Sequence, residues 1–300
     1  MKKHQASSTA FTVLQGVVYI AGHPQHADLV SDEMQEASVQ ILSDSQEGRK
    51  RLGQLNSWFF RPLIPLLEKL MMPGITLHYV LRKRFIENYV LKSIQEGATQ
   101  VINLGAGFDT VAFRLSKQYP NVNFIEVDHP ATHEVKQQAL QGSATKSKNL
   151  HFVPVDFTTQ RLEDVLKHSP LVQPNSPTLI IVEGVLMYLT KPQVQHLFES
   201  LSLFLHAGRR VIFTAVKPAA QSSNSYGPLL KVYLKIKKEP LKWTCEKEKL
   251  EEFLQAVHYD LRQLAGAQEF KNHFLPSDYK GFIHDGEYIA VSEQGWHSSN

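Results

Sequence analysis

The sequence predicts an α/β fold, a doubly wound and mostly parallel sheet of seven strands preceded by a helical N-terminal region. Three observations carry this. Short, mostly apolar runs that read as strands recur at Val101–Leu104, Val122–Val127, Leu150–Phe157, Pro177–Glu183 and Arg210–Val216, separated by stretches with helical periodicity. The first run closes on Gly105-Ala-Gly107, a turn that needs positive φ or close approach of a ligand to the backbone. Three of the runs lead into acids, Asp128, Asp156 and Glu183, at the strand ends where α/β sheets bind ligands.

The glycine turn is the segment around which the rest is organised. From Gly107 to Asp128 the spacing is that of a nucleoside-binding βαβ unit, whose acid accepts hydrogen bonds from ribose hydroxyls. Two details argue against a pyrophosphate ligand. Thr110 stands where a third glycine would, and Asp109 places a carboxylate at the helix N-terminus, where it competes with phosphate for the same donors. A nucleoside without phosphates and with positive charge fits better, and S-adenosylmethionine is such a ligand. The bland reading is an ordinary βα turn in which Asp109 caps the following helix.

Composition sets the bounds. The 300 residues suffice for one large α/β domain, and 42% hydrophobic with 20% charged content is that of a globular protein. A net charge of +3 does not argue for nucleic acid or an anionic membrane as partner. One cysteine, Cys245, excludes an internal disulfide framework and fits a reducing compartment. Met1-Lys-Lys3 ahead of the apolar stretch Phe11–Ala21 imitates a signal peptide, but Gln15 interrupts the run and no small-x-small site follows. Ser7, Ser8 and Thr9 offer helix caps instead, so a cytoplasmic protein with an N-terminal helix is expected. No run reaches the ~20 apolar residues of a membrane span.

Along the chain, residues 1–97 read as mostly helical. Ser31–Leu42 is amphipathic, and Ser45–Arg51 reads as an exposed connection. Residues 52–72 carry Trp58, Phe59, Phe60 and several leucines, broken by Pro62 and Pro65; such a segment is core, or else a substrate wall. After Pro73-Gly74, a helix over His78–Ser93 includes Arg82, Lys83 and Arg84. A helix over Pro130–Leu140 precedes the third strand. Residues 217–245 are irregular, with a lysine cluster at 231, 235, 237 and 238 that reads as a solvated face. Tyr259–Leu264 and Tyr288–Ser292 are expected as a closing edge hairpin, and no metal-ligand spacing, Walker sequence or GxSxG is present.

At the motifs a resemblance becomes specific. Leu104-Gly-Ala-Gly-Phe-Asp-Thr-Val-Ala-Phe-Arg-Leu115, Glu126-Val-Asp-His-Pro130 with Lys136, and Glu183-Gly-Val-Leu-Met-Tyr-Leu189 resemble motifs of the leucine carboxyl methyltransferase family, including its bacterial O-methyltransferases tied to polyketide pathways. Gly286-Glu-Tyr-Ile-Ala-Val291 resembles the family's closing strand. The resemblance implies a seven-stranded, Rossmann-like class I methyltransferase domain over residues 98–300; residues 1–97 are expected as a helical cap or lid, and 217–245, where the resemblance is thinnest, as a substrate-side insertion. It implies S-adenosylmethionine as cofactor. Asp128 would hold the ribose, Gly105 and Gly107 the methionine part, Arg82 its carboxylate, Asp156 and Phe157 the adenine, and Glu183 the region of the ammonium. The family position after Arg82 is commonly threonine and here is Lys83, which leaves Arg82 and Arg84 both open for the carboxylate. Asp156 can equally cap the next helix.

Methyl transfer from a sulfonium needs alignment more than activation. A carboxylate acceptor needs no base, whereas a phenol or alcohol does. His129 and Tyr188 lie beside motif residues, but no base is evident, and the acceptor is expected to be a small-molecule or peptide carboxylate or hydroxyl. Two other readings stand beside this one: a nicotinamide-dependent Rossmann oxidoreductase, disfavoured by Thr110 and Asp109, and a non-catalytic module that keeps only the fold.

Overall fold

A computed structural model of the chain describes residues 6–144, 147–156, 160, 162–218 and 241–297. The seven-stranded sheet has the order β3-β2-β1-β4-β5-β7-β6. Its strands are β1 (Gln100–Leu104), β2 (Asn123–Asp128), β3 (Leu150–Pro154), β4 (Thr178–Val182), β5 (Arg209–Val216), β6 (Asp260–Ala265) and β7 (Glu287–Gln294). β1 to β5 pair in parallel, and β7 runs antiparallel to both β5 and β6. The winding reverses between β1 and β4, which leaves a crevice at the carboxyl ends of these two strands.

Successive residues of each strand serve opposite faces. Val101, Phe124, Leu179, Ile181 and Ile212 belong to one core, and Ile102, Leu104, Ile125, Ile180, Val182 and Phe213 to the other. Both faces are covered, which is why the central strands are buried along their length and mostly apolar rather than alternating. The first face carries α1 (Ser8–Ala21), α2 (Asp32–Asp44), α5 (Ile75–Gln95), α6 (Val111–Gln118) and part of α7 (Pro130–Ala144). The second carries α8 (Leu162–His168), α9 (Lys191–Phe204) and α10 (Lys247–Ala256).

Local chemistry explains the helix starts. Ser7 accepts from the Ala10 N–H at 3.2 Å at the head of α1, whose buried face is Phe11, Leu14, Val17 and Ile20. Ser31 does the same for Met34 at the head of α2. The segment expected as an exposed connection, Ser45–Arg51, instead enters a helix, α3 (Gln46–Asn56). Ser45 caps it by accepting from Gly48 N at 3.0 Å, and Glu47 pairs with Arg51 at 2.8 Å one turn on. Its polarity misled the pattern: only one edge touches the core, at Leu55 and at Gly48, whose missing Cβ lets it lie against the backbone of Leu42.

Two further expectations are corrected. Within residues 52–72 only the start is core: Leu55 is buried and Leu52 packs on the core, whereas Trp58, Phe59, Leu66 and Leu67 are exposed, around a proline-started turn and α4 (Ile64–Met71). The closing strands do pair antiparallel at one edge of the sheet, but α11 (Ala267–Phe274) connects them in place of a tight turn, and β7 lies between β5 and β6, so of the two only β6 is an outer strand. β3 ends at Pro154, two residues before Asp156. Phe157 and positions 219–240 of the expected insertion lie outside the described residues. Among the described residues no helix is long and apolar enough to cross a membrane.

One buried ion pair fastens α7 to the sheet. Lys136 Nζ donates to Glu126 Oε2 at 2.5 Å and to the Asp109 carbonyl, with both side chains fully buried. Burial pushes the Glu126 carboxyl up to about 7 despite Lys136. Removing one partner strands the other. Lys136→Met is therefore expected to lower unfolding free energy by about 3–5 kcal/mol, and the double variant with Glu126→Leu to recover most of it, as read by urea denaturation.

Candidate functional site

The site is built at the carboxyl edge of the sheet. β1 runs into Gly105 and Gly107, whose φ values of 70° and 53° lie in the left-handed region. A Cβ on Gly105 would collide with the Val185 side chain from the loop after β4. Gly107 N donates to Asp128 Oδ2 at 2.6 Å, and His129 N donates to Oδ1 at 2.6 Å. Asp128, at the end of β2, thus ties the glycine turn to the neighbouring strand, and each of its oxygens keeps a lone pair for a ligand. Burial raises its carboxyl above the usual range, and the two backbone N–H groups oppose that rise. α1 roofs the turn: Ala10 would sit 3.5 Å from a Cβ on Gly107, and Phe11 meets Phe108 edge-on with ring centres 4.7 Å apart.

Beside the turn lies a cluster of charges that are almost wholly buried. Arg82, on α5, places Nη2 2.7 Å from Glu183 Oε1 and Nη1 2.5 Å from Glu287 Oε2. Lys83 reaches Asp109 Oδ2 at 2.6 Å and Glu183 Oε1 at 3.3 Å. Asp109 also accepts from Val111 N at 2.7 Å, so it caps α6 while pairing with Lys83. His78 Nε2 faces Glu287 Oε2 at 3.0 Å, and the Arg82 guanidinium lies 5.3 Å from the centre of the Tyr79 ring.

The protonation states follow from this packing. Burial alone would lower Arg82, but Glu287 and Glu183 outweigh it and hold the guanidinium charged. Burial alone would raise Glu287 and Asp109; Arg82 and His78 hold Glu287 well below the usual carboxylate range, and Lys83 and Lys136 do so for Asp109. Lys83 is raised because Asp109 and Glu183 overcome its desolvation. Burial pushes the Tyr79 phenol up to about 12, which keeps it neutral. Two cations, Arg82 and Lys83, therefore face three carboxylates, Asp109, Glu183 and Glu287.

The structure brings Arg82, Gly105, Gly107, Asp128 and Glu183 to one edge of the sheet. Asp156 lies on the same edge, one residue after Val155, whose N–H bonds the Asp128 carbonyl. The acids gather at Arg82 and not at Arg84, whose Nε is buried without a hydrogen-bond partner among the described residues. His129 serves its own turn, its Nδ1 accepting from Ala131 N. Two participants were missed. His78 lies a turn before Arg82 on α5 and was read as ordinary helix. Glu287 sits in the quoted closing-strand motif, where an acid beginning an apolar strand is the only signal.

The fold is that of the class I methyltransferases, with its seven strands, its reversal between β1 and β4 and its single inserted antiparallel strand β7. The leucine carboxyl methyltransferase family model matches residues 23–202, and the chain belongs to that family. It is 32% identical over 136 residues to a Bacillus subtilis protein named "Putative S-adenosyl-L-methionine-dependent methyltransferase YktD", covering 44% of this chain and 43% of that one. It is 29% identical over 164 residues to leucine carboxyl methyltransferase 1 of Candida albicans, covering 45% and 44%. These alignments span less than half the length of either relative. A DUF574 family protein from Streptomyces avermitilis shares the fold with a TM-score of 0.60 at 12% identity, over 97% of this chain and 98% of that one.

The ion pairs give stability a defined pH dependence. Asp109 is held at about 2 against an ordinary 3.8. A carboxylate with a depressed folded value contributes stability that is complete above the unfolded value and is lost as pH falls through the folded one. Wild-type urea midpoints are expected to fall between pH 5 and pH 3. Lys83→Met is expected to flatten that fall, because Asp109 then loses the first of the cations that lower it.

Proposed function

We propose that the chain is an S-adenosylmethionine-dependent O-methyltransferase whose acceptor oxygen belongs to a carboxylate of a small molecule or peptide. The observation that carries the reading is the paired Arg82 and Glu183 at the winding reversal, inside a buried cluster of opposite charges. That arrangement complements a zwitterionic amino-acid group joined to a cation. The family membership supports the same cofactor, as do the names of the relatives.

The residues fit the group. Asp128, half-buried and with lone pairs unspent, is the acceptor for ribose hydroxyls, and the Gly105–Gly107 turn lets the backbone approach the methionine part. Arg82 takes the carboxylate and Glu183 the ammonium. Their present contact is then exchanged for two contacts with the ligand, so a zwitterion is favoured over a molecule carrying one charge. Asp156 and Phe157 take the adenine. When bound, the cofactor supplies a methyl group already activated by its sulfonium. What the chain supplies is alignment and the exclusion of water. A carboxylate acceptor is nucleophilic when ionised and needs no general base. In this reading the N-terminal helices cap the donor site, as the contact of Ala10 and Phe11 with the glycine turn supports. The single cysteine supports a cytoplasmic setting.

Calorimetric titration with S-adenosylhomocysteine, with NADH as control, tests the cofactor. Binding of the first and not the second is expected. Asp128→Asn, which preserves shape but removes the charge, is expected to stay folded by circular dichroism and to weaken S-adenosylhomocysteine by roughly tenfold or more. Unchanged affinity in the folded variant would remove the ribose assignment. A screen of carboxylate against phenol acceptors then tests the oxygen.

A further inference from the structure

Glu287 and His78 are buried beside the site, yet neither has a part in the function as described so far. Glu287 opens β7, and its strand neighbour in register is Val216 at the end of β5. The antiparallel insertion therefore delivers an acid to the edge where the parallel strands end. Its Oε2 receives Arg82 Nη1 and faces His78 Nε2 at 3.0 Å. A carboxylate can only accept, so Nε2 carries the proton in this contact. His78 is fully buried, held edge-on by Phe270 and His284 with ring centres 5.6 and 5.5 Å away. The ring has no room to swing, and the histidine fixes where the carboxylate lies.

Arg82 is thus gripped from two sides by acids on different strands. Nε and Nη2 turn to Glu183 Oε1, at 2.9 and 2.7 Å, and Nη1 turns to Glu287. A guanidinium has five N–H donors, so these contacts leave two, one on each Nη.

We propose that Glu287, oriented by His78, is a positioning residue: it holds Arg82 so that the two remaining N–H groups meet a ligand's α-carboxylate while Glu183 is released to the ammonium. The inference rests on the S-adenosylmethionine reading above. The physical argument concerns what happens to a buried cation when its partner leaves. With Glu183 as its only acid, Arg82 would hold Glu183 tightly and consume the carboxylate that the ammonium needs. With Glu287 fixed behind it, the guanidinium stays neutralised while Glu183 changes partner. The opposing effect is plain repulsion: Glu287 also carries the same charge as the incoming carboxylate. The two effects differ in sign, so binding decides between them.

Calorimetry with two ligands makes the test. S-adenosylhomocysteine carries the amino-acid group, and 5′-methylthioadenosine has the same nucleoside and thioether without it. Glu287→Gln is expected to weaken S-adenosylhomocysteine by roughly tenfold while leaving 5′-methylthioadenosine within about twofold, and Glu287→Asp to restore part of the loss. His78→Phe, which keeps the packing against Phe270 but removes the donor, is expected to shift S-adenosylhomocysteine in the same direction by a smaller factor. It carries the test by itself should Glu287→Gln fail to fold in a thermal melt. Unchanged or tighter S-adenosylhomocysteine binding in the folded variants overturns the proposal. So does an equal loss for both ligands, which marks mere structural support. Wild-type protein that binds neither ligand overturns the cofactor reading and this proposal together; wild-type binding with indifferent variants overturns this proposal alone.

Discussion

A buried guanidinium cannot stand alone. Taking the Arg82 charge out of water costs several kcal/mol unless acids meet it, and the chain supplies two, Glu183 from the end of β4 and Glu287 from the start of β7. That requirement links three elements far apart in sequence. α5 must lie across the edge of the sheet, β4 must end under it, and β7 must run antiparallel so that its first residue, not its last, arrives there. An apolar cluster of the same shape would hold these elements together as well. An ionic one is therefore best understood through what it offers a ligand: charges already desolvated and already oriented.

The second constraint is the glycine turn. Gly105 and Gly107 adopt φ values that other residues reach only with strain, and the space saved is taken by Val185 on one side and by α1 on the other. Asp128 then spends both carboxylate oxygens on the backbone of the turn and of its own following residue. The glycine turn and the Arg82 cluster are thereby built differently. One is a backbone cradle fixed by a single acid, the other a network of paired side chains.

The N-terminal helices serve both core and site. α1, α2 and α5 contribute to the same apolar cluster as the sheet, and α5 sends its polar residues His78, Arg82 and Lys83 to the sheet edge. Trp58, Phe59, Leu66 and Leu67, by contrast, stay exposed around the proline-broken stretch. There the chain cannot form a continuous helix that would turn those side chains inward.

Most of the architecture was legible in the residues. Apolar runs mark strands buried on both faces, paired glycines mark the turn, and acids at strand ends mark the ligand edge, because each signal lies within a few neighbouring positions. Asp128 and Glu183 could be singled out for that reason. The polar helix α3 was not legible, since its cap and its ion pair leave almost no apolar period. The placing of β7 was decided by the tertiary structure alone. Nothing local distinguishes a strand inserted between two others from one half of an edge hairpin, and only the inserted arrangement brings Glu287 against Arg82, 205 positions away. The sequence by itself determined the chemistry available at each strand end. The assembled sheet decided which of those charges meet, because burying a charge forces it to find a partner in space, wherever in the chain that partner lies.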